Sequence, residues 1–156
     1  FLVHQDISDE FLPLAAKALF DAAQVKVHAC EHSLPYFTDG QLATQNDYHA
    51  EYLAQEIAVK VVKGFDDAIA HINQYCSDHT EVIISQDISR SQAFIRQINS
   101  SVVMVNASSR FSDGNQLGLG SEIGISTSKL HAYGPMGLEA LTTEKFVVFG
   151  DGQVRE

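Results

Sequence analysis

The sequence predicts an α/β fold built on a parallel sheet, and three observations carry that prediction. Between residues 57 and 105, short apolar runs ("IAVKVV", "EVIIS", "SVVMVN") alternate at close intervals with stretches of helical periodicity ("DDAIAHINQYC", "SRSQAFIRQIN"), the pattern of strands joined by crossover helices. The last run places Val102, Val103, Met104 and Val105 side by side, as expected of a strand covered on both faces. The 156 residues are 45% hydrophobic and 19% charged, an ordinary globular composition with length enough for one sizeable core.

Taken in order, Leu2, Val3 and His4 read as the end of a buried strand. Asp6 or Ser8 can cap the helix that follows, "DEFLPLAAKALFDAA", whose Phe11, Leu14, Ala15, Ala18, Leu19 and Ala22 recur at helical spacing. Pro13 falls early enough to sit in its first turn. "VKVHA" alternates as a strand, and "SLPYFTDGQLATQND" reads as loop with one short turn of helix. "IAVKVV" is the next strand. The helix after it presents Ala68, Ile69, Ile72 and Tyr75 or Cys76 on one face, and the helix after "EVIIS" turns Phe94, Ile95 and Ile98 inward. Beyond Asn106 the regular alternation stops. A glycine-rich loop leads to "EIGIST", "GPMGLEALTT" reads as a short helix opened by Gly134-Pro135, and "KFVVFG" as a final strand that pairs away from the main sheet, across a subunit interface.

Charge and composition exclude several classes. With 20 acidic against 10 basic residues the net charge is −10, and the basic residues are scattered, so no nucleic-acid surface is expected. No apolar run approaches the length of a membrane span, and the amino-terminal stretch lacks the basic region of a secretory signal. Two cysteines, Cys30 and Cys76, suit a reducing cytoplasm better than a disulfide framework. The chain opens on Phe-Leu-Val rather than Met and reads as though it begins in the middle of a strand.

Few residues stand out as carriers of chemistry. His28, Cys30 and His32 alternate in "VHACEH" and would share a strand face. Nitrogen and sulfur ligands suit zinc, but the spacing is no known metal pattern, no fourth ligand is nearby, and ordinary strand-end side chains are the better reading. Either cysteine could be a nucleophile beside a histidine, while Cys76, ending an apolar helical face, reads as a structural thiol. Glu51 is either a solvated acid at a loop end or an acceptor for a ribose hydroxyl pair, and composition alone favours the first. Arg110 is the strongest of the set. It follows Asn106, Ser108 and Ser109 at the carboxyl end of an apolar strand, where ligands of open α/β sheets collect. Its guanidinium could grip a carboxylate or phosphate with two prongs, or pair with Asp113 three residues on; the two readings are evenly matched.

The run "VNASSRFSDGNQLGLGSEIGISTSKLHAYGPMGLEALTTEKFVVFGDGQVRE" resembles the carboxyl-terminal end of the gamma-glutamyl phosphate reductases (glutamate-5-semialdehyde dehydrogenases). Their pattern there is V-N-A-S-T-R-F-T-D-G, then G-x-G-A-E-I-G-I-S-T, then H-A-R-G-P-M-G-L-x-x-L-T-T. The resemblance continues upstream through "VKVVKGFDDAIAHINQYCSDHTEVIISQD" to the opening "FLVH". Ser109 and Ser112 stand where threonine is usual, Ser121 where alanine is usual, and Tyr133 where arginine is usual.

This family is a branch of the aldehyde dehydrogenase superfamily, and the resemblance implies its fold. Residues 1–125 would form most of a catalytic domain lacking its start, and residues 126–156 a crossover helix and an oligomerisation strand. It implies NADPH-dependent reduction of L-glutamyl 5-phosphate to the 5-semialdehyde with release of phosphate, in proline biosynthesis. A cysteine thiolate displaces phosphate to form a thioester, and hydride from NADPH expels the thiolate as the aldehyde forms. That cysteine falls before Phe1, so no catalytic residue and no metal ligand is expected within the chain. Asn106, Ser108 and Arg110 are the expected substrate contacts. Glu51, with Leu53 two places on, aligns with the E-x-F segment of aldehyde dehydrogenases and is the expected contact to the cofactor ribose. A homo-oligomer in the cytoplasm, with NADPH/NADP as cofactor and no nucleic-acid or membrane partner, completes the reading. The alternative is a stand-alone α/β module that binds a small anion through Arg110 without catalysis.

Overall fold

The computed structural model describes residues 1–155. Strand β1 (Leu2–His4) runs into helix α1 (Gln5–Ala16), which widens into a π-type turn over Lys17–Ala22. There follow β2 (Lys26–Ala29), β3 (Gln41–Leu42), α2 (Gln45–His49) and β4 (Glu56–Val62). Then come α3 (Phe65–Tyr75), β5 (Thr80–Ile83), α4 (Ile88–Gln97) and β6 (Val102–Val105), and finally β7 (Gly124–Ser126) and β8 (Gly134–Met136). Four strands pair in the order β1-β4-β2-β3, all parallel, and β5 pairs in parallel with β6. The predicted α/β parallel arrangement is therefore present.

One face of the four-stranded sheet carries the main core. Val3, Val27, Ala29 and Val59 point to the same side and bury against Leu12 of α1 and against Phe37. Along β4 ("EIAVKVV") Ile57, Val59 and Val61 face this core, while Glu56, Ala58, Lys60 and the buried Val62 face the other side. A second, smaller core forms where Ile69 of α3 meets Phe94 and Ile98, with Ile83 and Val103 of the β5–β6 pair against it.

Several local expectations give way to the structure. Helix α1 starts at Gln5, and its cap is neither Asp6 nor Ser8: His4 Nδ1 accepts the Asp6 N–H at 3.2 Å, and Pro13 ends up inside the helix. The stretch read as loop holds a 3₁₀ turn (Leu34–Tyr36), β3 and α2. Strand β6 is half-buried along its length rather than covered on both faces; the helices α3 and α4 pack a small cluster against it at Val103. Gly134–Met136 is not a helix start but a strand, antiparallel to β7. Gly134 has φ +93°, a left-handed conformation that starts no helix, and Pro135 is tolerated in a two-stranded ribbon. The crossover helix expected in residues 126–156 shrinks to one 3₁₀ turn, Glu139–Leu141, and β7 straddles the division placed after residue 125. Residues 145–150 form no strand in this chain; Phe146 and Phe149 are 98% and 95% exposed.

Candidate functional site

The second face of the four-stranded sheet is polar. Lys26 and His28 of β2 stand beside Glu56 and Ala58 of β4 in register, and Lys60 continues the row. Over them lie α2, the connection to β4, and α3. His28, 8% exposed, has both ring nitrogens engaged: Nδ1 is 2.9 Å from Asp47 Oδ1 and Nε2 is 2.9 Å from Glu56 Oε2. Tyr52 stacks on the imidazole, centroids 5.1 Å apart with planes 11° from parallel, and its hydroxyl donates to Asp47. Hydrogen bonds from Thr44 hold Asp47 below its usual value, and His28 and Lys26 do the same for Glu56. Burial, reinforced by the Asp47 charge, pushes Tyr52 up to about 12.

Farther along the same face, Lys60 Nζ lies 3.1 Å from His71 Nδ1, and the His71 ring packs against Tyr48 and Tyr75. Burial, with the Lys60 ammonium beside it, pushes His71 down to about 4, so the imidazole is neutral. His71, Tyr48 and Tyr75 also form part of the wall of a groove of about 1250 Å³ that runs between β1 and β5. Burial pushes Glu81, on the β5 side, up to about 7.

Glu51 lines this groove as well, with an exposed carboxylate that makes no ion pair among the described residues. An open carboxylate at a groove wall has the acceptor chemistry that a ribose diol requires, so the residue fits the cofactor role expected of it. Arg90, which the sequence reading did not single out, lines the groove too and pairs with Asp87 at 3.3 Å.

The expected substrate contacts collect at the carboxyl end of the β5–β6 pair but do different work. Asn106, at φ +54°, stitches the ends of the two strands together: its Oδ1 accepts the Ser85 N–H at 2.8 Å and its Nδ2 donates to the Ser85 carbonyl at 2.8 Å. Ser108 Oγ accepts the Arg110 N–H at 3.3 Å and caps the 3₁₀ turn Ser109–Phe111. Arg110 is exposed and makes no ion pair among the described residues; Asp113 instead accepts the Gln116 N–H at 2.9 Å. The local salt bridge that rivalled the ligand reading of Arg110 is thus not formed. Asn106 and Ser108 shape the loop, and Arg110 is left to project from it. Arg110 does not share the lining of the β1–β5 groove with Glu51.

After this loop, Gly114 donates its N–H to Glu122 Oε2 at 2.8 Å, and a Cβ at Gly114 or Gly137 would lie under 3.0 Å from backbone oxygen. The glycine-rich segment is therefore closely packed at those two points. Tyr133 does not reach toward Arg110: its hydroxyl donates to the Asn99 carbonyl at the end of α4, and Lys129 lies 5.0 Å above its ring.

The trio read as sharing a strand face splits up. His28 is committed to its carboxylates, Cys30 follows the strand, and His32 lies in an exposed turn. Burial pushes the Cys30 thiol up, but hydrogen bonds from Ser33 and from the Val61 N–H outweigh it and bring the group below its usual value. Burial pushes Cys76 up. No group of three His, Cys, Asp or Glu side chains is placed to hold a metal among the described residues, and no helix there is long and apolar enough to cross a membrane.

A parallel α/β sheet with Arg110 on the loop at its carboxyl edge, and beside it a groove lined by apolar side chains with a few polar ones, has the architecture of the open-sheet class, whose ligands collect at that edge. No family model matches the chain. Over nearly its whole length, however, it is similar to part of the gamma-glutamyl phosphate reductases. It is 83% identical over 155 residues to the one from Colwellia psychrerythraea and 59% identical over 155 residues to that from Idiomarina loihiensis, covering 99% of this chain and 37% of each relative. The crystal structure of the Thermotoga maritima gamma-glutamyl phosphate reductase superposes with a TM-score of 0.90 at 47% identity, over 99% of this chain and 37% of that one. The Saccharomyces cerevisiae enzyme gives 0.54 at 26% identity over 75% of this chain and 30% of that chain. The chain thus spans about 37% of the length of the curated relatives it matches, and the resemblance read from its motifs holds.

Proposed function

We propose that these residues form the carboxyl-terminal part of a cytoplasmic reductase of the aldehyde dehydrogenase type. It converts L-glutamyl 5-phosphate to L-glutamate 5-semialdehyde and phosphate in proline biosynthesis, through a thioester on a cysteine outside the chain. The observation that carries the reading is the 83% identity over 155 residues to a gamma-glutamyl phosphate reductase. When bound, NADPH supplies the hydride. The part of these residues is to bind and orient: Glu51 accepts from the nicotinamide ribose, and Arg110 holds the anionic substrate by its carboxylate or its phosphate, on a loop that Asn106 and Ser108 keep in shape. Because neither Cys30 nor Cys76 matches the family nucleophile, the isolated chain is expected to be inactive.

Arg110→Lys in the full-length enzyme tests this role. It keeps the charge and loses the two-pronged fork, and should weaken substrate handling by about 1.5–3 kcal/mol while cofactor kinetics stay put. A variant whose stability drops with substrate kinetics intact refutes the assignment.

The exposed run Phe146, Val147, Val148 and Phe149 supports a second element of the proposal. An apolar segment left open to water invites a partner, and here it is a second copy of the chain, with the segment added as a strand to the neighbouring subunit. Val148→Asp should move the full-length enzyme toward monomer in sedimentation. An unchanged mass with a lower melting temperature would return the segment to the subunit's own core.

A further inference from the structure

The buried His28 has no part in the proposed function, yet both of its ring nitrogens and one ring face are engaged. A neutral imidazole has one N–H donor. With carboxylate oxygens 2.9 Å from both ring nitrogens, both contacts are hydrogen bonds only when both nitrogens carry protons. Asp47 and Glu56 thus bracket the ring, one carboxylate at each nitrogen, with Lys26 Nζ 3.2 Å from the second of them. The groups facing it are Asp47 from α2, Tyr52 from the connection, and Glu56 with its partner Lys26 from the paired strands.

All three direct contacts of this ring fall within one short stretch, residues 47–56, which crosses from α2 to β4. Asp47 holds one nitrogen, Glu56 the other, and Tyr52 covers the ring face while bonding back to Asp47 at 3.1 and 3.2 Å. Asp47 in turn takes the Thr44 N–H and hydroxyl, each at 2.7 Å, on its other oxygen. Glu51 is the residue before Tyr52, and Leu53 after it sits at φ +50°, 90% exposed. The stretch is held at its start by Tyr48 and His49 packed on Tyr75 and at its end by the Lys26 N–H, which donates to the Gln55 carbonyl at 2.9 Å. Between those two ends the side-chain contacts that tie it to the sheet run through the His28 ring.

We propose that His28 is a positioning residue. Held between Asp47 and Glu56, it pins the 47–56 crossover to the sheet and so sets where Glu51 meets the cofactor ribose. The inference rests on the cofactor role given to Glu51 above. It also accounts for a polar face on a central strand that could otherwise have been covered by apolar side chains.

The test uses the full-length enzyme in three forms: Glu51→Gln, His28→Gln and the double variant. Each single change should raise the cofactor KM by about tenfold, the scale of one charged hydrogen bond, with substrate KM unchanged. The double variant should add little to either single one, since both act through one contact. In His28→Gln, amide hydrogen exchange should quicken across residues 45–56 and stay as it was in β5 and β6. If Glu51→Gln raises the cofactor KM and His28→Gln lowers only the melting temperature, the positioning role is overturned and the Glu51 assignment stands. If Glu51→Gln leaves the cofactor KM unchanged, the Glu51 assignment itself fails and the inference falls with it. Should His28→Gln fail to fold, Asp47→Asn removes the opposite charge of the same contact and must raise the cofactor KM in the same sense; an unchanged value there overturns the proposal.

Discussion

The two faces of the four-stranded sheet are built from the same strands and do opposite things. On one, Val3, Val27, Ala29 and Val59 meet Leu12 and Phe37 in a layer with no charge. On the other, Lys26, His28, Glu56 and Lys60 meet Asp47, Tyr48, Tyr52 and His71 through directional contacts. Apolar burial is non-directional, so the first face stabilises the domain without specifying any one atom's place. Hydrogen bonds and ion pairs contribute little net energy, but leaving a buried one unmade is costly. The second face therefore contributes less stability and more geometry, and it is the face that borders the groove.

Substitutions can sharpen this contrast. The largest loss should come from the apolar face: Leu12 is fully buried, and Leu12→Ala should destabilise by about 2–5 kcal/mol through lost contacts and the cavity left behind. Urea unfolding measures it, and a loss below that of any polar-face variant would break the comparison.

Acid should act on the polar face alone, and by less. The His71 value of about 4 lies below its ordinary 6.5, so the unfolded chain takes up the proton first. The stability this group contributes is complete above pH 6.5 and drains away as the pH falls toward 4, by about 2 kcal/mol after allowance for screening. Asp47 and Glu56, both held below their usual values, contribute in the same sense, their share being lost at still lower pH. His71→Phe should flatten the slope between pH 6.5 and 4, the limits set by its ordinary and folded values; an unaltered slope assigns it to other groups. The smallest effect belongs to Tyr52→Phe, which keeps the stack on His28 and removes the hydroxyl bonds to Asp47. It should cost about 1 kcal/mol or less, read from the same unfolding curves.

The run "IAVKVV" reads in the sequence only as an apolar strand, and its two faces emerge in the fold: Ile57, Val59 and Val61 lie on one side, and Glu56, Ala58, Lys60 and Val62 on the other. His28 was picked out in the sequence only through its neighbours Cys30 and His32, as a candidate ligand. Its true partners lie 19 and 28 positions away in the chain, a separation that no local spacing encodes. Arg110 was legible because an apolar strand followed by small polar residues marks a carboxyl-edge loop. Its lack of a salt bridge was not, because whether Asp113 turns to Arg110 or to its own loop depends on the turn that the backbone takes.

By itself the sequence determined the alternation of strand and helix up to Val105, the parallel sense of strands joined by crossover helices, and the kinship carried by "VNASSRF" and "GPMGLEALTT". These rest on periodicity and on motifs whose residues are neighbours in the chain, where side-chain chemistry acts over a few positions. It did not settle the inward helix faces, since Leu12 is fully buried while Leu14 and Ile95 are 65% and 51% exposed. Tertiary structure alone decided that Gly134 begins a strand rather than a helix, that Asn106 ties β6 to the end of β5, and that one imidazole gathers Asp47, Tyr52 and Glu56 beneath Glu51. Each of those outcomes depends on groups that meet only once separate strands have paired. A hydrogen bond is decided within a few tenths of an ångström, and that closeness exists only in the folded chain.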